Sequence, residues 1–418
     1  MNDVTPAEAP YWQMFEDAAR SVLAAYGYSE VRPPVVERTE LFRRSVGEGT
    51  DIVEKEMYTF EDRGGDSLTL RPECTASCVR AAIEHGWLRS GGVRIWHIGP
   101  MFRYERPQKG RYRQFHQLDV EALGYPGPDV DVELIMLSAR LWKRLGLKDI
   151  RLELNSLGSR PAQADYRDRL VAYFEGHRDS LDEDSARRLS SNPLRILDSK
   201  NPDMQSLIEK APAPVNHLDE ASAASFELLQ KILTDTGIEY SINRRLVRGL
   251  DYYTGTVFEW VTDELGAQNA VCGGGRYDGL IEEIGGSSTP AIGFALGIER
   301  LVELLKVQDI QPPAIAPHAY LAAVGDRATR AAIRLAEDIR DADPSIRLLV
   351  DAGEGSFKSK LKRADRSDAR FALILGDKEV GSNTIGVKDL RGDAPQMELS
   401  VSELSDYLGR RLSRRAAN

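Results

Sequence analysis

The chain has 418 residues, 42% of them apolar and 29% charged, the make-up of a soluble globular protein with two or three domains. Its formal net charge of −10, from 55 Lys and Arg against 65 Asp and Glu, argues against a body that is basic throughout and leaves any nucleic-acid contact to local patches. No apolar run reaches the roughly 18 residues of a membrane span, and MNDVTPAEAPYWQ lacks the basic and apolar regions of a signal peptide. The sparse cysteines, Cys74, Cys78 and Cys272, fit a reducing cytoplasm, and without a second pair beside Cys74 and Cys78 no zinc or other metal site is expected.

The first element reads as a helix, with Thr5 as N-cap, Pro6 at the first helical position and Glu8 completing a capping box. Trp12, Phe15, Ala19, Val22, Leu23 and Tyr26 recur at helical spacing, and Gly27 suits its end. EVRPPVVE follows as an extended segment, which Pro33 and Pro34 assign to an edge or an interface. LFRRSVGEGTDIVEKEMYTFED passes from a short helix through a glycine loop into a strand. GGDSLTLRPE is the return arm of a hairpin turning at Gly64 and Gly65, and CTASCVRAAIEHGW is helical. GVRIWHIGPMFRYE reads as two strand pieces interrupted at Gly99 and Pro100, followed by a basic turn and the strand QFHQLDVEALG. A helix over 129–145 and the strand IRLELNSLG lead to residues 160–236, mostly charged and helical, an inserted subdomain without chemical signature. EYSINRRLVRGLDYYTGTVFEWV, AVCGGGRYDGL and TPAIGFALGIERL return to strands, the last turning into a helix. Residues 306–317 form a Pro-rich linker. Beyond it, over 318–418, apolar strands alternate with helices, the pattern of a parallel or mixed sheet covered by helices. The expected class is therefore α+β, a mostly antiparallel domain over 1–305 followed by a small α/β domain.

FRYERPQKGRYRQFHQLDVE, residues 102–121, concentrates the chemistry. Residues two apart in a strand share a face, so Arg103 pairs with Glu105 in direction, and Gln117, Asp119 and Glu121 oppose Leu118 and Val120. A half-exposed sheet with a wet face would alternate in this way too. Arg, Gln and Glu in place of Lys, Thr and Ser, together with Arg106, Lys109, Arg111 and Arg113 at the tip, point instead to an anionic, hydrogen-bonding ligand. A strand-borne guanidinium donates two parallel bonds to a phosphate, and a loop of cations suits a polyanion backbone. LVRGLDYYTGTVFEW adds Arg248, Asp251, Tyr252 and Tyr253 around a glycine turn. CGGGRYDGL lets the backbone approach something closely without being a Walker loop, and GFALGIER ends in Arg300. Together these stretches suit ATP plus a small zwitterion.

LTLRPE, GPMFRYERPQKGRYRQFHQ, LVRGLDYYTGTVFEW, GGGRYDGL and GFALGIERL, in that order, resemble the motifs of bacterial histidyl-tRNA synthetases, a class II aminoacyl-tRNA synthetase family, and the resemblance covers nearly the whole chain. It implies an antiparallel-sheet catalytic domain with a mostly helical insertion, a C-terminal α/β anticodon-binding domain, and a homodimer with the Pro34 segment near its interface. The implied reaction joins L-histidine to histidine tRNA through histidyl-adenylate, with ATP as substrate and Mg²⁺ accompanying the nucleotide. By resemblance Arg103 and Arg248 would face the α-phosphate, Glu105 the adenine amino group, and Phe115 and Arg300 the two faces of the ring. Glu73, Thr75 and Gln117 would take the ammonium and carboxylate of histidine, and Arg248 would line the histidine site as well. Glu121 and Tyr253 would take its imidazole nitrogens, with Tyr252 beside them. Gln108, Arg111 and Arg113 would meet the tRNA acceptor end.

The sequence departs from the family pattern in three places. Cys74 stands where Gly is usual, either straining the loop of Glu73 and Thr75 or filling it harmlessly. Asp119 adds a carboxylate beside the histidine site, and the start is short by about ten residues of the family's pattern, by the same resemblance. A non-catalytic relative, the synthetase-like regulatory subunit of ATP phosphoribosyltransferase, is the competing class. Arg103, Arg248, Arg300 and the tail domain speak against it. For the basic stretch FKSKLKRADRSDAR, residues 357–370, a solvated face and an anticodon-stem contact both remain open.

Overall fold

The computed structural model describes residues 1–47, 50–106, 110–199, 201–266 and 269–413. The chain divides into two compact units, Met1–Pro312 and Pro313–Asn418.

In the first unit the order is α1 (Ala9–Ala25), β1 (Ser29–Glu30), β2 (Val36–Arg38), α2 (Thr39–Val46), β3 (Tyr58–Glu61), β4 (Ser67–Leu70), α3 (Thr75–Glu84), β5 (Val93–Phe102), β6 (Gln114–Leu123), α4 (Pro128–Leu145) and β7 (Arg151–Ser156). Four helices follow, α5 (Arg160–Glu175), α6 (Glu183–Ser191), α7 (Gln205–Glu209) and α8 (Glu220–Asp235). The chain then returns through β8 (Tyr240–Ile242), β9 (Thr254–Val261), β10 (Ala270–Arg276), α9 (Leu280–Glu283), β11 (Ala291–Gly297) and α10 (Ile298–Val307). The eight-stranded sheet runs β1-β5-β6-β11-β10-β9-β7-β8, antiparallel except for its short parallel edges β1 on β5 and β8 on β7. A three-stranded antiparallel sheet, β2-β4-β3, carries the hairpin that turns at Gly65.

Two local expectations are corrected by proline chemistry. The first helix begins at Ala9 rather than at Pro6, and the Thr5 carbonyl accepts from the N–H groups of Glu8 and Ala9 at 2.9 and 2.8 Å. A helix opened at Pro6 would place Pro10 in its interior, where the missing N–H forfeits a bond; opened at Ala9, it holds Pro10 in the first turn, where no bond is due. Likewise β5 is one continuous strand through Gly99 and Pro100. Trp96 O accepts from Val31 N on the far side from β6, and Phe102 N donates to Arg71 O. Pro100 shares that direction, so its missing N–H costs the β5–β6 ladder nothing. Pro33 and Pro34 divide their segment into β1 and β2, each at the edge of its sheet.

The sheet is two-faced. Leu118, Val120 and Ala122 of β6, Phe258 and Trp260 of β9, and Ile292, Phe294 and Leu296 of β11 join residues of α1, α4, α8 and α10 in the main core. Each of the Leu, Val, Ile and Phe side chains among them, fully buried, contributes roughly 1.5–3 kcal/mol. By the strand period, Gln117, Asp119, Glu121 and Glu259 stand on the opposite face. The helices after β7 do not form one body. Tyr166, Leu170, Phe174, Leu189, Ile196 and Met204 make their own cluster, whereas Phe226, Leu229 and Leu233 of α8 belong to the main core.

The second unit comprises β12 (Ala319–Val324), α11 (Asp326–Ala342), β13 (Leu348–Val350), α12 (Phe357–Arg366), β14 (Phe371–Gly376), α13 (Asp377–Ser382), β15 (Thr384–Asp389), β16 (Met397–Ser400) and α14 (Leu404–Ser413). Its sheet order is β13-β12-β14-β15-β16, parallel over the first three strands and antiparallel thereafter. Sequence periodicity did not mark α13 or β16, which are short and largely exposed. Asp351 ties the start of α12 to the sheet by accepting from Lys360 Nζ at 2.8 Å, from Arg363 Nε at 2.7 Å and from Tyr320. Among the described residues, no helix is long and apolar enough to cross a membrane.

Candidate active site

The β5–β6 hairpin ends in its last strand pair, Phe102 with Gln114, and Arg103 N still donates to Arg113 O at 3.0 Å. Arg103 and Glu105 therefore lie past the strand, not along it as the alternation suggested. Arg103 is fixed instead by its Nε, which donates to Pro72 O at 2.8 Å, and by the Phe115 ring, 5.2 Å away. The tip cations fold back. Arg111 pairs with Glu105, and Arg113 lies 3.9 Å from the centroid of the Tyr104 ring while its Nε donates to Glu105 O at 3.2 Å. Gln108 lies outside the described residues.

Behind the hairpin is a cavity of about 420 Å³ onto which Arg103, Arg111, Arg248 and Arg300 converge, with Glu105 and Glu259 between them. Its floor is small by necessity. A methyl group on Gly273 would stand 2.5 Å from Arg248 Nη1, so only glycine lets that guanidinium lie on β10. Arg248 Nη1 donates to Glu259 Oε1 at 2.6 Å, and Arg248 Nε has no protein partner. Burial works against the Arg248 charge, and Glu259 more than restores it, so the guanidinium stays protonated. Arg300, in the first turn of α10, donates to Ala270 O at 2.6 Å.

A second, drier cluster adjoins it. The Glu73 carboxylate accepts from the N–H groups of Thr75 and Ala76 at 2.8 and 3.0 Å, satisfying the start of α3. Between Glu73 and Thr75, Cys74 has φ −115°, an ordinary value, so the residue standing where the resemblance expects Gly is an unstrained, buried filler. Thr75 Oγ1 donates to Glu121 Oε1 at 2.6 Å, and the Tyr277 hydroxyl donates to Glu121 Oε2. Tyr252 and Tyr253 pack with ring centroids 4.7 Å apart, and Tyr277 lies 5.5 Å from Tyr252. Burial pushes the carboxyls of Glu121 and Glu73 above their ordinary range.

Of the sequence candidates, Arg103, Glu105, Arg111, Phe115, Gln117, Arg248 and Arg300 line the cavity. Glu73, Thr75, Glu121, Tyr252 and Tyr253 are joined through the second cluster. Arg113 stacks outside both. Two participants were missed. Tyr277 sits inside the quoted GGGRYDGL, where a phenol directly after a buried glycine strand was the available signal. Glu299 accepts from His116 N at 2.9 Å and is bonded to His116 Nδ1, also at 2.9 Å, bracing β6 against α10, and nothing in the sequence marks that pair. Among the described residues no group of three or more His, Cys, Asp or Glu is placed to hold a metal ion.

An antiparallel sheet that gathers guanidinium groups over a glycine floor, followed by a mixed α/β unit, is the architecture of class II aminoacyl-tRNA synthetases. The family model of histidyl-tRNA synthetases matches residues 1–301, and that of the anticodon binding domain matches residues 318–411. The chain is 56% identical over 416 residues to a histidine–tRNA ligase of Alkalilimnicola ehrlichii, covering 100% of this chain and 96% of that one. It is 56% identical over 407 residues to a histidine–tRNA ligase of Halorhodospira halophila, covering 97% and 96%. The solved structure of apo S. aureus histidyl-tRNA synthetase superposes with a TM-score of 0.82 at 34% identity, covering 98% of both chains. The chain belongs to the histidyl-tRNA synthetase family.

Proposed function

We propose that this chain charges tRNA with histidine in two steps at the cavity beneath the β5–β6 hairpin. In the first, a carboxylate oxygen of histidine attacks the α-phosphorus of ATP and pyrophosphate leaves. In the second, a hydroxyl of the terminal adenosine of the tRNA attacks the carbonyl carbon of the adenylate and AMP leaves. The observation that carries this reading is the adjacency of the two clusters, with guanidiniums on the cavity and an acid–phenol pocket beside it.

Arg103 and Arg248 face the phosphorus and stabilise charge as it builds on the pentavalent centre, where a preorganised donor is worth most. Their own ties to Pro72 O and Glu259 hold them in place before substrate arrives. Glu105 accepts from the adenine amino group, and Phe115 and Arg300 take the faces of the ring. Glu121 accepts the imidazole N–H while the Tyr253 hydroxyl donates to the other nitrogen. Thr75 and Tyr277 orient Glu121 for that task, one on each carboxylate oxygen. An amino acid without both ring nitrogens leaves these buried groups unpaired, which is the basis for selecting histidine. Mg²⁺ enters with the triphosphate as part of the substrate.

Arg111 and Arg113 turn from Glu105 and Tyr104 to the acceptor end, and the C-terminal unit, over 318–418, reads the anticodon. The chain works as a cytoplasmic homodimer. Exposed Val35 and Val36, beside Pro34 and on an edge strand, supply an apolar patch for that contact. The test is charging of total tRNA with each labelled amino acid in turn. Histidine alone is expected to be incorporated, with ATP required; incorporation of another amino acid, or none, would refute the reading.

A further inference from the structure

Asp119 sits on the site face of β6, between Gln117 and Glu121, opposite His97 on β5 and Ala295 on β11. It is 1% exposed, and neither carboxylate oxygen has a protein partner. Gln117 Oε1, one residue pair along the same face, is buried and unpartnered as well. Leaving a buried acceptor unsatisfied costs folding free energy, more so for a carboxylate, so a native chain that keeps three together invites a donor from outside.

The surrounding groups do not supply one. Arg71 gives its Nε to Pro100 O at 2.9 Å and its Nη1 to Pro33 O at 3.0 Å, Arg103 gives its Nε to Pro72 O, and neither is hydrogen-bonded to Asp119. His97 Nδ1 faces Val31 O at 2.9 Å and must carry the ring hydrogen, which leaves Nε2 a further unpartnered acceptor. Glu73 has already accepted the Thr75 and Ala76 N–H groups, and Thr75 Oγ1 has turned to Glu121. Glu73, Asp119 and Glu121 thus gather three carboxyls in a dry space. Burial and the neighbouring Glu73 raise Asp119 well above the ordinary carboxyl range, although Arg71 and Arg103 pull the other way. The group that suits these acceptors is small, cationic and rich in N–H. A primary ammonium offers three donors, and Gln117 Oε1 with the two oxygens of Asp119 offers three acceptors.

We propose that Asp119 binds the α-ammonium of the amino acid directly, as the charged partner in a set completed by Gln117. This rests on the histidine reading of the site and adds to it a residue to which the family resemblance gives no role. Asp119 then fixes the end of the substrate next to the attacking carboxylate, while Glu121 and Tyr253 fix the ring.

The test is calorimetric titration of the full-length chain and Asp119→Asn with L-histidine and with 3-(imidazol-4-yl)propionate, which lacks the ammonium. Asp119→Asn should weaken histidine about 30-fold, the scale of one charge-assisted hydrogen bond, and leave the propionate within about twofold. In exchange kinetics the KM for histidine should rise by the same factor, with the KM for ATP unchanged. Asp119→Asn should also melt at or above the wild type, because it removes an unpaired buried carboxyl; Asp119→Ser serves if the amide does not fold. Equal weakening of both ligands, or histidine binding indifferent to either substitution, would overturn the assignment. A wild type that binds neither ligand would instead overturn the histidine reading itself.

Discussion

Asp351 in the C-terminal unit and Asp119 in the sheet of the N-terminal unit both have carboxylates closed off from water, and their partners could hardly differ more. Asp351 accepts from Lys360 Nζ, from two nitrogens of Arg363 and from the Tyr320 hydroxyl. Burial alone would raise its carboxyl; the bonds from Arg363, Lys360 and Tyr320 outweigh that and hold it well below the usual range. Asp119 has no such partners, and its carboxyl is pushed up. A buried charge with a complete set of resident partners belongs to the scaffold. One with none belongs to a site whose partner arrives later. Glu73 and Glu121 lie between the extremes, each held by protein donors but crowded by other acids.

The comparison is sharpened most by Glu121→Gln. It keeps the shape of the pocket and removes the carboxyl proposed to accept the imidazole N–H, so kcat/KM for histidine in pyrophosphate exchange should fall about 100-fold. Its melting temperature should change little. Asp351→Ala should do the reverse, costing about 2 kcal/mol of stability in denaturant unfolding while leaving exchange at the wild-type rate. An exchange defect there would break the division between scaffold and site.

The smallest expected effect is in pH. Because the folded-state value of Asp351 is depressed, its contribution is present above the ordinary aspartate value and lost as pH falls through the folded one. The stability gap between wild type and Asp351→Ala should therefore close below about pH 4. For Asp119, Glu73 and Glu121 the folded values are raised, so their protonated forms support the fold in acid and that support is lost as pH rises through those values. Mild acid, above pH 4, should consequently raise the stability of the ligand-free wild type relative to Asp119→Asn, as paired pH series of melting curves would record.

The alternation of β6 was legible because period two is a strong signal, and it separated Leu118 and Val120 from Gln117, Asp119 and Glu121 before any coordinates. The prolines were legible as punctuation but not in their direction. Sequence does not tell whether the missing N–H of Pro100 would point into the ladder or away from it, and it points away. The tip cations read as aimed at an anionic ligand, yet in the ligand-free chain Arg111 and Arg113 are engaged by Glu105 and Tyr104, a carboxylate and a ring only a few residues distant that composition does not rank. Tyr277 and the His116–Glu299 brace depend on which strands become neighbours, and that is fixed by the order β6-β11-β10, not by local pattern. Cys74 shows the opposite case, a departure from the family pattern that looked consequential and is settled by one dihedral angle.

The central claim is that guanidiniums set on a sheet over a glycine floor activate histidine on ATP. It is tested most directly by ATP–pyrophosphate exchange, run with each amino acid on wild type and Arg248→Ala. Wild type should exchange with histidine alone, and Arg248→Ala should lose at least about 100-fold. Exchange by Arg248→Ala at the wild-type rate, or wild-type exchange that does not depend on histidine, would contradict it.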